Sequence, residues 1–211
     1  MSPQEGRGGH SGAGESSRQT IRRLVAALAD SGFSPSELRR LLSDNPVQAL
    51  IGPALADPNR LKAVQQTGLL ERSEPDLDSA AALTASALGT PYAAVSLFGR
   101  DHSLMAGRYP DDTATDRTVP LESSLCKFPV ATAQPFIVDD AQRNPLVSDN
   151  PMVRSGRVMS YAGIPLMDGD HNVVGALASW DDKPRRWTAG QIQVLTNLSV
   201  VVAAKIFGRR G

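Results

Sequence analysis

Two apolar runs, residues 158–166 and 173–180, stand on either side of the polar triplet Asp168-Gly169-Asp170. A triplet of this kind closes an antiparallel hairpin, because aspartate side chains bond to nearby backbone and glycine takes a positive φ without steric cost. A two-stranded hairpin is marginal by itself in water, so this pair belongs to a larger sheet.

The other elements follow from spacing and punctuation. Residues 93–98 and 103–107 read as a second hairpin around Gly99-Arg100-Asp101, and 135–138 as a further short strand. Asp57 caps a short helix carrying Leu61 and Val64, and 77–88 is an Ala-rich helix ended by Gly89. The segment 121–133 crosses the sheet as a helix that Pro129 breaks or bends. Residues 110–119 and 139–157 are loops, the second with one helical turn, and loops of that length are often functional. Thr188 caps a last helix with Ile192, Leu195, Leu198 or Ser199, Val202 and Ile206 on one side, and Val194, Val200 and Val201 widen the apolar face. Such a helix is covered twice, by the sheet and by a partner helix. The order predicts an α+β fold: a central antiparallel sheet of about five or six strands, helices on one face, and long connections roofing a cavity on the other.

Ahead of this domain the pattern changes. Residues 1–17 hold no large aliphatic side chain and predict a disordered arm. Ile21, Leu24, Val25 and Leu28 mark an amphipathic helix ending near Gly32, and Ser34-Pro35-Ser36-Glu37 opens a second that Asn45-Pro46 stops. The resulting hairpin, 18–54, is too small to be stable alone. Its apolar faces seek the main domain, 55–207, or a second copy of the chain. Residues 208–211 form a tail.

Lys plus Arg and Asp plus Glu are both 22, so no net field draws the chain to nucleic acid or an anionic membrane. One cysteine, Cys126, excludes an internal disulfide framework. No uninterrupted apolar run reaches the roughly 18 to 20 residues of a membrane span, and the N-terminus lacks signal-peptide order. A cytoplasmic protein is expected.

Asp57-Pro-Asn-Arg60 with Gly68-Leu-Leu70, Ser124-Leu-Cys126, Phe136-Ile-Val-Asp-Asp-Ala141, Asn144-Pro145, Tyr161-Ala-Gly-Ile-Pro-Leu166, Gly175-Ala-Leu177 and residues 181–185 follow one another in an order and spacing that resembles the GAF domain. The resemblance covers about residues 55–207 and implies a sensory fold that encloses small ligands. Two positions depart from the family pattern: Pro129 and Trp180 stand where aliphatic residues are usual. The Asn-Lys, Phe, Asp-Glu signature of cyclic-nucleotide-binding relatives is absent. Free-methionine-sulfoxide reductases of similar fold need more than one cysteine. Neither activity carries over, and no enzyme is expected.

The candidate cavity residues are Met105, Tyr109, Cys126, Phe128, Phe136, Asp139, Tyr161 and Trp180. Strand alternation sends some of these to a cavity, where Tyr161 and Trp180 each supply a polar tip. Cys126 is also a redox candidate, provided something lowers its pKa, with Lys127 as the neighbouring cation; packing as a small apolar side chain is its plainer role. Asp139 and Asp140 leave a strand as neighbours with diverging side chains, which suits capping better than paired acid–base work. His102 and His171 lack a second ligand at metal spacing.

These residues support a cytoplasmic sensory protein that binds a small ligand or senses redox state and signals through protein contacts. A ligandless dimeric adaptor is the alternative, and a thiol redox enzyme using Cys126 the third reading. The sequence names no cofactor or metal. The expected partners are an unidentified small molecule, an unidentified signalling protein and a second copy bound through the N- and C-terminal helices, with no nucleic acid and no membrane.

Overall fold

A computed structural model describes residues 46–70, 74–111 and 116–208. The arm and the two amphipathic segments between residues 18 and 45 lie outside the described residues.

Six strands form one sheet: β1 (Tyr92–Phe98), β2 (His102–Tyr109), β3 (Thr118–Pro120), β4 (Phe136–Val138), β5 (Ser160–Met167) and β6 (Val173–Asp181). Their spatial order is β3-β2-β1-β6-β5-β4, and every neighbouring pair is antiparallel. The expected sheet is present. The edge strands β3 and β4 have three residues each, which limits the exposed row of unpaired backbone groups. Thr118 and Val119, expected in a loop, pair with β2.

Alternation divides the core in two. Val95 and Leu97 of β1, Leu177 of β6 and Ala162 and Ile164 of β5 share a cluster with helices α2 (Pro58–Gln66), α3 (Pro75–Leu88) and α6 (Ala189–Phe207). Phe98, Ala176, Ala178 and Tyr161 point the other way. There they meet α1 (Pro46–Leu55), α4 (Lys127–Thr132) and Val153 of α5 (Pro151–Arg154). The second face is therefore roofed by short helices as well as loops. Helix α1 has no counterpart in the sequence reading, where Asn45-Pro46 is a stop. Pro46 instead opens α1 at its first position, which needs no amide hydrogen.

The caps are those expected. Asp57 Oδ1 accepts from Asn59 N and Arg60 N at 2.8 and 3.0 Å. Gly89 ends α3 at φ 63°, and Thr188 with Gln191 makes a reciprocal capping box on α6. Pro129 corrects the expectation of a broken helix: it is the third residue of α4, in the first turn, where its missing N–H would have had no intrahelical partner. At the β5–β6 turn the positive φ belongs to His171, at 63°, rather than to Gly169. Asp168 Oδ1 accepts from Asp170 N and Asn172 N at 2.9 and 2.8 Å and holds the turn.

Arg60 is fully buried. Its Nε donates to Leu55 O at 3.0 Å, Nη1 to Phe98 O at 2.7 Å, and Nη2 to Leu55 O and to Gly99 O. One guanidinium thus ties the end of α1 to the β1–β2 turn.

Candidate functional site

The roofed face of the sheet carries a row of aromatic residues. Register places Tyr92 of β1 opposite Trp180 of β6, and Trp180 opposite Tyr161 of β5. Cross-strand neighbours on one face lie close enough for their rings to meet. Tyr92 and Trp180 stack with centroids 5.7 Å apart and 13° between planes. Two same-parity steps further along β1 stands Ser96, paired with Met105 beside a bulge in the β1–β2 ladder.

Between this row and the roof is a cavity of about 130 Å³ whose lining includes Ser96, Met105, Ser124, Cys126, Met152, Tyr161 and Trp180. A second recess of about 300 Å³, lined by Tyr92, Met105, Arg108, Tyr109, Pro110, Met152, Arg157 and Trp180, adjoins it. Met105, Met152 and Trp180 belong to both, so the recess is the cavity's mouth.

The inner wall is held by Tyr161. Its ring lies over Gly163, where an added Cβ would stand 2.3 Å from the phenol oxygen, well inside any real contact. From there the hydroxyl donates to Cys126 Sγ at 3.1 Å. Burial pushes the Cys126 thiol up, against smaller downward pulls from hydrogen bonds with Tyr161, Ser96 and Ser124. Burial likewise holds the Tyr161 phenol well above its ordinary range. Lys127 is engaged elsewhere: its Nζ donates to Glu122 O at 2.8 Å and lies 5.7 Å from the Phe128 ring centroid, and burial lowers its pKa. A buried, protonated thiol is a poor nucleophile.

The raised thiol pKa sets a sign for pH dependence. The folded value lies above the unfolded one, so the associated stability is fully present below the unfolded pKa and falls as pH rises through the folded value. Accordingly, at pH 8 Cys126 should react with a disulfide reagent at least about tenfold more slowly than the same thiol in denaturant. Gly163→Ala, which forces the Tyr161 ring aside, should raise the native rate by a similar factor. Equal rates in parent and variant would show that Tyr161 does not shield the thiol.

Of the eight cavity candidates, Met105, Cys126, Tyr161 and Trp180 line the inner cavity, and Tyr109 lines the mouth, 42% exposed. Phe128 and Phe136 stack at 4.5 Å, and Phe136 tilts against Tyr161 at 6.1 Å; both are buried outside the two linings. Asp139 belongs to neither lining: its Oδ1 accepts from Trp187 N at 3.0 Å and its carbonyl from Arg185 N at 2.9 Å, which fixes the approach to α6. Asp140 Oδ1 accepts from Gln142 N and Arg143 N. The two carboxylates hold separate turns, as their divergence implied. Ser96, Ser124, Met152, Tyr92, Arg108 and Arg157 are lining residues the sequence reading missed. Ser96 and Tyr92 were accessible in principle, since they keep the parity of Phe98 on β1.

A family model for the GAF domain matches residues 71–206. A cyclic di-GMP phosphodiesterase of Pseudomonas aeruginosa is 28% identical over 151 residues, 70% of this chain, and the match spans 25% of that protein's length. Among solved structures, the GAF domain of a phosphoenolpyruvate-protein phosphotransferase from Coxiella burnetii aligns over 74% of this chain and 96% of its own, with TM-score 0.56 and 14% identity. A free methionine-R-sulfoxide reductase from Neisseria meningitidis, solved with its substrate, aligns over 77% and 86%, with TM-score 0.51 and 18% identity. At such identities the structural likenesses speak for fold and not for activity. A model match over most of the described residues, on the six-stranded sheet laid out above, shows that this chain belongs to the GAF domain family.

Proposed function

We propose that this protein is a cytoplasmic sensory module that binds a small organic ligand between Trp180 and the roof and signals through protein contacts. One observation carries the reading: the cavity behind Met105, Met152 and Trp180 is mostly apolar, with the Tyr161 and serine hydroxyls converging on it, as small-molecule sites are. Similarity to a quarter of a cyclic di-GMP phosphodiesterase, too little of that protein to bring its whole activity with it, supports a regulatory part. The buried state of Cys126 speaks against thiol redox sensing and against a thiol enzyme. A non-catalytic role fits the Asp139 and Asp140 turns, which are spent on backbone amides.

Signalling needs two populated states with different ligand affinity. A ligand in this cavity would touch the roof at Cys126, which precedes α4, and at Met152 of α5. On the opposite face Val200 and Val201 of α6 and Leu83 of α3 are more than half exposed. That patch is where a second copy of the chain would dock and receive the change.

Native mass spectrometry of the purified protein tests the ligand. A bound small mass is expected, with occupancy reduced about tenfold or more in Trp180→Ala, the residue common to cavity and mouth. A bare protein mass, with no thermal shift across a metabolite panel, would favour the ligandless adaptor.

A further inference from the structure

Charge around the cavity is one-sided. Among the described residues, the inner lining holds no carboxylate or cation, and the mouth is lined by two arginines, Arg108 and Arg157, and by no carboxylate. Arg108 Nε donates to Asp111 at 3.2 Å, and Asp111 also accepts from Arg117 at 2.7 Å. Arg117 in turn chelates Asp78 at 2.7 and 3.1 Å. Two arginines and two aspartates therefore compensate one another at that side of the mouth.

Arg157 is different. It is exposed, and among the described residues its side chain has no ion pair or hydrogen bond. Among the described residues it is the one uncompensated cation at the rim. Behind it stand the stacked Tyr92–Trp180 pair and the two methionines, then a pocket of about 130 Å³. For comparison, an apolar cavity of about 150 Å³ holds benzene. Guest and wall have matching halves: room for one ring inside, one positive charge outside. Apolar walls also lower the local dielectric, which strengthens attraction between the rim cation and an anion more than open water would.

Resting on the ligand-binding reading above, we propose that the cavity takes a small organic carboxylate whose ring-sized apolar body sits against Trp180 and Met152 while its carboxylate faces Arg157. The guanidinium then works as the specificity element, selecting acids over neutral molecules of the same body.

The test compares 3-phenylpropionate with 3-phenylpropan-1-ol, which share a body and differ in charge, by ligand-observed NMR and calorimetry on the full chain at low salt. The acid is expected to bind about tenfold more tightly than the alcohol. The ratio should shrink in 0.5 M salt, as screening at about 4 Å Debye length requires. Arg157→Gln should bring the ratio near one and leave alcohol affinity unchanged; Arg157→Lys should keep a preference for the acid. Equal affinity of acid and alcohol in the parent, or a ratio untouched by Arg157→Gln, overturns the anion assignment. In that case loss of both probes in Trp180→Ala still upholds the cavity as a ligand site. Acid binding that persists in Trp180→Ala places the acid elsewhere and overturns the proposal. Failure of both probes to bind the parent overturns this proposal, while the ligand-site reading then stands or falls on the bound mass sought by native mass spectrometry.

Discussion

Arg60→Ala is expected to destabilise the domain by about 3 to 5 kcal/mol, because it strips the carbonyls of Leu55, Phe98 and Gly99 of their buried donor. For a domain of this size that corresponds to a fall of roughly 10 °C or more in the melting midpoint. The loss has a direction as well as a size. The three carbonyls belong to the end of α1 and to the β1–β2 turn, so α1 should detach first, and hydrogen exchange should rise over 46–55 before the sheet opens. Arg60→Lys should recover part of the loss, since an ammonium has donors but no planar fork to reach three carbonyls at once. A midpoint for Arg60→Ala within 2 °C of the parent would show that water replaces the guanidinium at little cost.

Gly175→Ala should cost about 3 kcal/mol, toward the upper end of core overpacking. Gly175 lies on β6 opposite Leu97 of β1, and an added Cβ would stand 2.0 Å from Ser96 O and 3.0 Å from Leu97 Cα. Those are backbone atoms of the adjoining strand and cannot rotate away. The strands must separate, in the middle of the sheet. Gly169→Ala serves as the matched comparison: the turn glycine has nothing within 4 Å of an added Cβ and a φ outside the left-handed region, so its effect should stay within about 0.5 kcal/mol. Chemical denaturation of the pair measures the difference. Similar midpoints for both would mean that the ladder at Gly175 yields more easily than its packing indicates.

Local chemistry made much of this fold legible. Period-2 runs gave β1, β2, β5 and β6 their places, and Asp57 and Thr188 by their side chains, and Gly89 by its left-handed backbone, marked helix ends through geometry that operates within a few residues. What escaped depends on distant contacts. Pro46 and Pro129 read as breakers, and only the position of each within its helix shows that the missing amide hydrogen costs nothing. Arg60 looked like the last residue of a capping motif; its burial comes from Phe98 and Gly99, 38 and 39 residues away. The site divides along the same line. Met105, Tyr161 and Trp180 were reachable from alternation, whereas Phe136 has strand parity but lies under the Phe128 ring, outside the lining. Arg157 sits in a stretch without periodicity, and nothing near it in sequence announces a cavity mouth.

The strands that carry Tyr161 and Trp180 also form the seat of α6, whose Leu195, Val202 and Ile206 join Ala162, Ile164 and Leu177 on the reverse side. A β-sheet is a single peptide layer, so whatever rests on one surface and whatever rests on the other are held by side chains of the same strands. Any guest that tilts β5 or β6 to make room for itself therefore tilts the platform beneath the terminal helix, with no relay of intervening side chains to traverse.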